Sequence, residues 1–108
     1  MSLAHVTDQN FEREVLQEKQ KAVLVDFWAE WCGPCRMLAP VVETMASKFS
    51  ANLKVCKMDT DSNVEAAQKY MITGIPCCIV FKEGKEIARI VGYRSETAFE
   101  AELSKILT

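Results

Sequence analysis

The sequence predicts an α/β domain built on a mixed sheet, and three observations carry that prediction. Strand-like and helix-like apolar periods take turns from one end of the chain to the other. Near the end, the segments CCIVF and EIARIV flank KEGK, a hairpin signal that makes the last two strands antiparallel. The length, 108 residues, suits one domain spanning 1–108, with enough chain for a real core and too little for two. The element order β-α-β-α-β-α-β-β-α then implies a central mixed five-stranded sheet flanked by four helices.

The elements follow in order. After a short apolar start at Leu3 to Val6, Thr7 or Asp8 caps a helix whose buried side is Phe11, Val15 and Leu16. AVLVDFW, Ala22 to Trp28, is a dense β-branched and aromatic run, as expected of a strand covered on both faces. From Pro34, the residues Leu38, Val41, Val42, Met45, Ala46 and Phe49 fall at helical spacing, which predicts a second helix to about Ser50. Pro40 lies inside that rhythm and predicts a kink rather than an end, because the apolar period continues past it. Leu53 to Asp59 reads as a third strand. Ser62 with Glu65 forms a capping box for a short helix through Tyr70. Ser95 caps the last helix, whose inner face is Phe99, Leu103, Ile106 and Leu107.

Composition narrows the function classes. Apolar residues make up 49% and charged residues 26%, and the net charge of -2 leaves neither a nucleic-acid footprint nor a polybasic membrane patch. The N-terminal MSLAHVTDQNFERE has no basic stretch followed by an apolar one, and no apolar run approaches the ~18 residues of a membrane span. The expectation is a soluble chain without an export signal. Five cysteines, Cys32, Cys35, Cys56, Cys77 and Cys78, are an odd, unevenly spaced set. They make a poor disulfide framework and suit a reducing compartment.

Two of those thiols sit where the chemistry is easiest to read, in FWAEWCGPCRMLAP, where the Ala22–Trp28 strand ends and the second helix begins. A helix N-terminus offers free N–H groups and the positive end of the dipole, and both favour thiolate. At a spacing of three, Cys32 at the mouth and Cys35 one turn in can face each other as dithiol or disulfide. Gly33 permits a tight approach, and Pro34 presets the helical φ without wasting a donor. Arg36 adds a positive charge nearby or is simply a solvated surface arginine.

Asp26 stands inside the most apolar strand, on the face of Leu24 and Trp28, and is expected to be buried. A buried carboxylate is costly unless it is paired, hydrogen-bonded or protonated. Lys57 on the next strand is a candidate partner. Two readings follow, a carboxylate satisfied by backbone at the strand end and a proton relay to Cys35, and proximity to the thiols favours the relay.

Together, Asp26, Trp28, WCGPC (Trp31 to Cys35), Pro40, Lys57, GIP (Gly74 to Pro76) and Gly92 resemble the thioredoxin family, in its element order and over essentially the whole chain. The resemblance implies that family's fold, a cis peptide before Pro76, Cys32 as attacking thiol and Cys35 as resolving thiol. It implies general protein-disulfide reduction in the cytoplasm by dithiol–disulfide exchange. No bound cofactor is implied beyond the redox-active Cys32–Cys35 pair. Recycling would fall to a thioredoxin reductase that uses NADPH. The partners implied are that reductase and disulfide-containing client proteins, with no nucleic acid or membrane, and the chain is expected to be a monomer. Trp31, Ile75, Pro76 and Gly92 would line a shallow apolar patch around Cys32 where an extended client segment lies. Trp28 reads equally well as packing.

The chain departs from the family after Pro76, where Cys77 and Cys78 replace the common Thr and aliphatic residue. On a strand the two point to opposite faces, and Cys77 is the one expected nearer Cys32. One reading makes both small buried hydrophobes; the other makes Cys77 a regulatory thiol, modified after Cys32 and Cys35 have closed. Cys56 reads as core and His5 as surface or edge. A zinc site would need about four N/S ligands at paired spacings, and one CxxC with a distant histidine falls short, so no metal is expected. A redox-silent adaptor would not need both thiols and Asp26, and an oxidase or isomerase would prefer another dipeptide, commonly with His, between the cysteines.

Overall fold

In the computed structural model, which describes residues 3–108, five strands form one mixed sheet in the order β1-β3-β2-β4-β5. The first two residues of the N-terminal stretch discussed above lie outside the described residues. The strands are β1 (Ala4–His5), β2 (Ala22–Trp28), β3 (Leu53–Asp59), β4 (Cys77–Lys82) and β5 (Lys85–Val91). The helices are α1 (Gly33–Lys48), α2 (Val64–Lys69) and α3 (Glu96–Leu107), with a π-helical turn at Glu12–Leu16. The fold class and element order match the sequence expectation. Among the described residues, no helix is long and apolar enough to cross a membrane.

β2 lies at the centre, parallel to β3 and antiparallel to β4, and its residues alternate between two separate cores. Leu24 joins Cys78, Val80 and Ile90 under α1 and α3, which contribute Leu38, Val42, Met45, Phe99 and Leu103. Val23, Val25 and Phe27 face the other way, onto Phe11, Val15, Ala66, Ile79 and Phe81. This is the two-sided burial that a continuous apolar strand requires. α1 runs through Pro40 as one element, since its packing face holds the rhythm on either side.

Two expected caps turn out differently. The first helix is only the π-helical turn; Phe11 and Val15 are buried, Leu16 only partly, and Thr7 exchanges hydrogen bonds with Asn10. Asp8 does not cap that turn. Its carboxylate crosses to α2 and accepts the amide N–H groups of Glu65 and Ala66 at 3.2 and 2.9 Å. The Ser62–Glu65 capping box does not form; Asn63 holds the cap position without a side-chain cap bond. Its side chain accepts from the Asp8 amide and donates to the Asp59 carbonyl instead. Ser95 caps α3 as expected, accepting from the Ala98 amide at 3.3 Å.

The β4–β5 hairpin turns through Glu83 (φ 51°) and Gly84 (φ 81°), both in the left-handed region that such two-residue loops demand. A Cβ on Gly84 would stand 3.0 Å from the Leu16 carbonyl oxygen, so the glycine also seats the hairpin against the π-helical turn.

Candidate active site

The end of β2 leads through Ala29 and Trp31 to Cys32, which caps α1 in an extended conformation. Cys32 and Cys35 are joined by a disulfide, with Cα atoms 5.2 Å apart. The backbone N–H of Cys35 donates to Cys32 Sγ at 3.2 Å. That bond is the sulfur equivalent of an N-cap, and it favours negative charge on Cys32 when the pair is reduced. Both sulfurs are nearly enclosed, packed with Ala29, Trp28 and Ile75. Cys32 Sγ also lies 3.8 Å from the Ile75 carbonyl oxygen.

Pro34 stands in the first turn of α1. The tight approach expected at Gly33 is not present: a Cβ there would meet nothing within 4 Å, so the fold itself does not demand a glycine. Arg36 is a surface arginine whose guanidinium donates to the Glu30 carbonyl at 2.6 Å.

The predicted groove residues converge on this point. The Ile75–Pro76 peptide is cis, and the Pro76 carbonyl accepts the Gly92 amide at 2.8 Å. Gly92 has φ 88°, a conformation that excludes most side chains and explains the glycine. Trp31 is 69% exposed and shares with Ile72, Thr73, Gly74 and Ile75 a groove of about 170 Å³. One residue of this surface escaped sequence reasoning. Asp61 accepts the Trp31 indole N–H at 3.0 Å. It lies just past β3, where only the sheet order brings it beside the α1 entrance, and no local pattern marks it.

Asp26 is 1% exposed, as its strand predicted. Burial pushes its carboxyl up to about 6, opposed in part by the Lys57 charge and by the Cys78 thiol. Lys57 is its register partner on β3 but makes no ion pair with it; its ammonium sits 4.8 Å over the Trp28 ring instead. Neither carboxylate oxygen has a full hydrogen bond from the protein. Cys78, directly opposite on β4, lends only a weak thiol contact. A backbone-satisfied carboxylate is therefore not what the strand holds.

Cys77 does not join the cluster around Cys32. It is 2% exposed and packs with Phe27, Ile79 and Phe81 on the opposite core, where burial pushes its thiol up. Cys78 belongs to the core beneath α1 and α3. Cys56 is fully buried, its thiol pushed up to about 11 by that burial. His5 is exposed and meets the Trp28 ring edge-on, with centroids 6.2 Å apart.

Comparison with known proteins agrees with this geometry. The family model described as Thioredoxin matches residues 2–105. A thioredoxin of Mycobacterium bovis is 46% identical over 94% of this chain and 87% of its own length. A thioredoxin of Porphyra purpurea is 41% identical over the full length of both. In Mycobacterium leprae, a bifunctional thioredoxin reductase/thioredoxin is 45% identical over 94% of this chain and 22% of its own. With its five-stranded mixed sheet and a redox-active cysteine pair at the mouth of α1, the chain belongs to the thioredoxin family, whose members are protein disulfide oxidoreductases working by dithiol–disulfide exchange.

Proposed function

We propose that the protein is a general reductase of protein disulfides, with Cys32 attacking and Cys35 resolving. The observation that carries these roles is the Cys35 amide donating to Cys32 Sγ, which stabilises a thiolate at Cys32 and not at Cys35. Cys32 thiolate attacks one sulfur of a client disulfide; a mixed disulfide forms and the other client sulfur leaves as thiolate. Cys35 gives its proton to the Asp26 carboxylate and attacks Cys32 Sγ. The Cys32–Cys35 bond forms as the Cys32–client bond breaks, and the second client sulfur departs. A carboxyl titrating at about 6 is suited to take that proton near neutral pH.

The client segment lies extended over Trp31, Ile75, Pro76 and Gly92. Gly33, Pro34 and Lys57 support the site, Lys57 through its charge near Asp26. Of the two readings of Cys77, its burial and raised pKa support packing. The single domain acts as a cytoplasmic monomer, with no bound cofactor, and a thioredoxin reductase that draws on NADPH restores the dithiol. The relative that unites reductase and thioredoxin in one polypeptide supports that partnership.

Insulin reduction coupled to a thioredoxin reductase tests the reading. Cys32→Ser should abolish turnover, and Cys35→Ser should trap covalent mixed disulfides with client proteins. Equal trapping by both variants would overturn the assignment.

A further inference from the structure

Asp26 has two neighbours of different kinds. Lys57 on β3 is in register with it, yet its ammonium is drawn over the Trp28 ring. Cys78 on β4 is directly opposite it and 0% exposed. The rest of that core face is hydrocarbon: Leu24 and Val80 lie beside the pair, α1 covers it with Leu38, Val42 and Met45, and α3 contributes Phe99 and Leu103. The ionisable groups that bear on the carboxylate are therefore Lys57 from β3 and Cys78 from β4. Both carboxylate oxygens lack a hydrogen-bond partner. In such surroundings a thiol is a small uncharged group able to offer a proton, and an aliphatic side chain would offer none.

We propose that Cys78 is a positioning residue for Asp26: its S–H, buried opposite the carboxylate across the β2–β4 ladder, supports the charged form and sets the pH at which Asp26 takes the proton from Cys35. The functional half of this statement rests on the relay reading given above. Burial and the Asp26 charge together hold the Cys78 thiol well above its ordinary range, so it stays protonated, and remains a donor, wherever the carboxylate is ionised. The contact needs no redox change at Cys78. Its sulfur lies in the core beneath α1 and α3, and the chemistry at Cys32 proceeds without it.

The test is direct observation of the Asp26 side-chain carboxyl by 13C NMR across pH, in wild type, Cys78→Val and Cys78→Ser. Cys78→Val removes the donor at similar volume and should raise the titration midpoint by ~0.5 in pH or more. Cys78→Ser supplies a stronger donor and should bring the midpoint to or below the wild-type value. Cys78→Ala is a second donor-free variant and should move it in the same direction as Cys78→Val. Identical midpoints in all four proteins, or valine and serine variants shifting in the same direction, would overturn the proposal. The pH profile of mixed-disulfide resolution, followed by rapid mixing, separates the two claims. If that profile tracks the carboxyl midpoint, both stand. If the carboxyl midpoint moves and the profile does not, the Cys78 contact stands and the Asp26 relay falls.

Discussion

Trp31 donates its indole N–H to Asp61 at 3.0 Å, which pins an exposed aromatic ring beside the disulfide. Without that bond the ring would sample several rotamers over open solvent, and the groove next to Cys32 would lose its wall. Asp61→Ala is therefore expected to lower kcat/KM for protein disulfides several-fold through KM. A small disulfide reagent, which needs no groove, should react with the reduced protein at an unchanged rate. Equal losses on both substrates would place Asp61 in the chemistry instead.

Asp26 makes stability fall as pH rises. Its carboxyl titrates at about 6 in the fold against 3.8 in an open chain, so between those values the folded state holds more protons than the unfolded one. Full stability is present below about 3.8 and is lost progressively as pH climbs through about 6, a cost of about 3 kcal/mol once the group is ionised. Asp26→Asn should raise stability by about 2 kcal/mol at pH 7, with little gain below pH 4, while slowing resolution more than initial attack. Denaturant melts at several pH values, with single-turnover kinetics, check both halves.

Gly92 occupies φ 88°, where an L-residue is strained whatever the space around it. Gly92→Ala should cost about 1–2 kcal/mol in a thermal or chemical melt. The hydrogen bond that its N–H donates to the Pro76 carbonyl ties this strain to the groove, so client reduction should weaken along with stability.

Asp8 caps a helix more than fifty residues away in sequence. Asp8→Ala should lose about 1 kcal/mol of stability. Because α2 packs on the sheet face opposite Cys78 and the α1 core, the rate of disulfide exchange in the folded protein should not change.

The Asp8 result also marks where the sequence stopped being legible. Local pattern revealed β2 and β3 to the residue, the hairpin, the Ser95 cap and the thiols at the mouth of α1, because each depends on neighbours within one turn or one strand. Asp8 and Asp61 were invisible for the opposite reason. Their partners are supplied by the sheet order, which sets distant segments side by side without leaving a periodic trace. The capping box at Ser62 and Glu65 was a sound local signal outcompeted by a better-placed carboxylate from elsewhere. Burial of Asp26 was readable from strand alternation, but not the drift of Lys57 to Trp28, since two side chains of β2 contended for one ammonium.

β2 is paired along both edges, with seven of its residues in register with β3 and five with β4. Its amides should be among the last to exchange with deuterium, opening only when the whole domain opens, whereas Trp31, Gly74 and Gly92 lie on loops that breathe locally. The site thus joins two regimes of motion. The loops around the disulfide should exchange first, while the Asp26 carboxylate behind them belongs to the strand that exchanges last. Under the proposed relay, successive clients of different shape would encounter the same acid–base group in the same place.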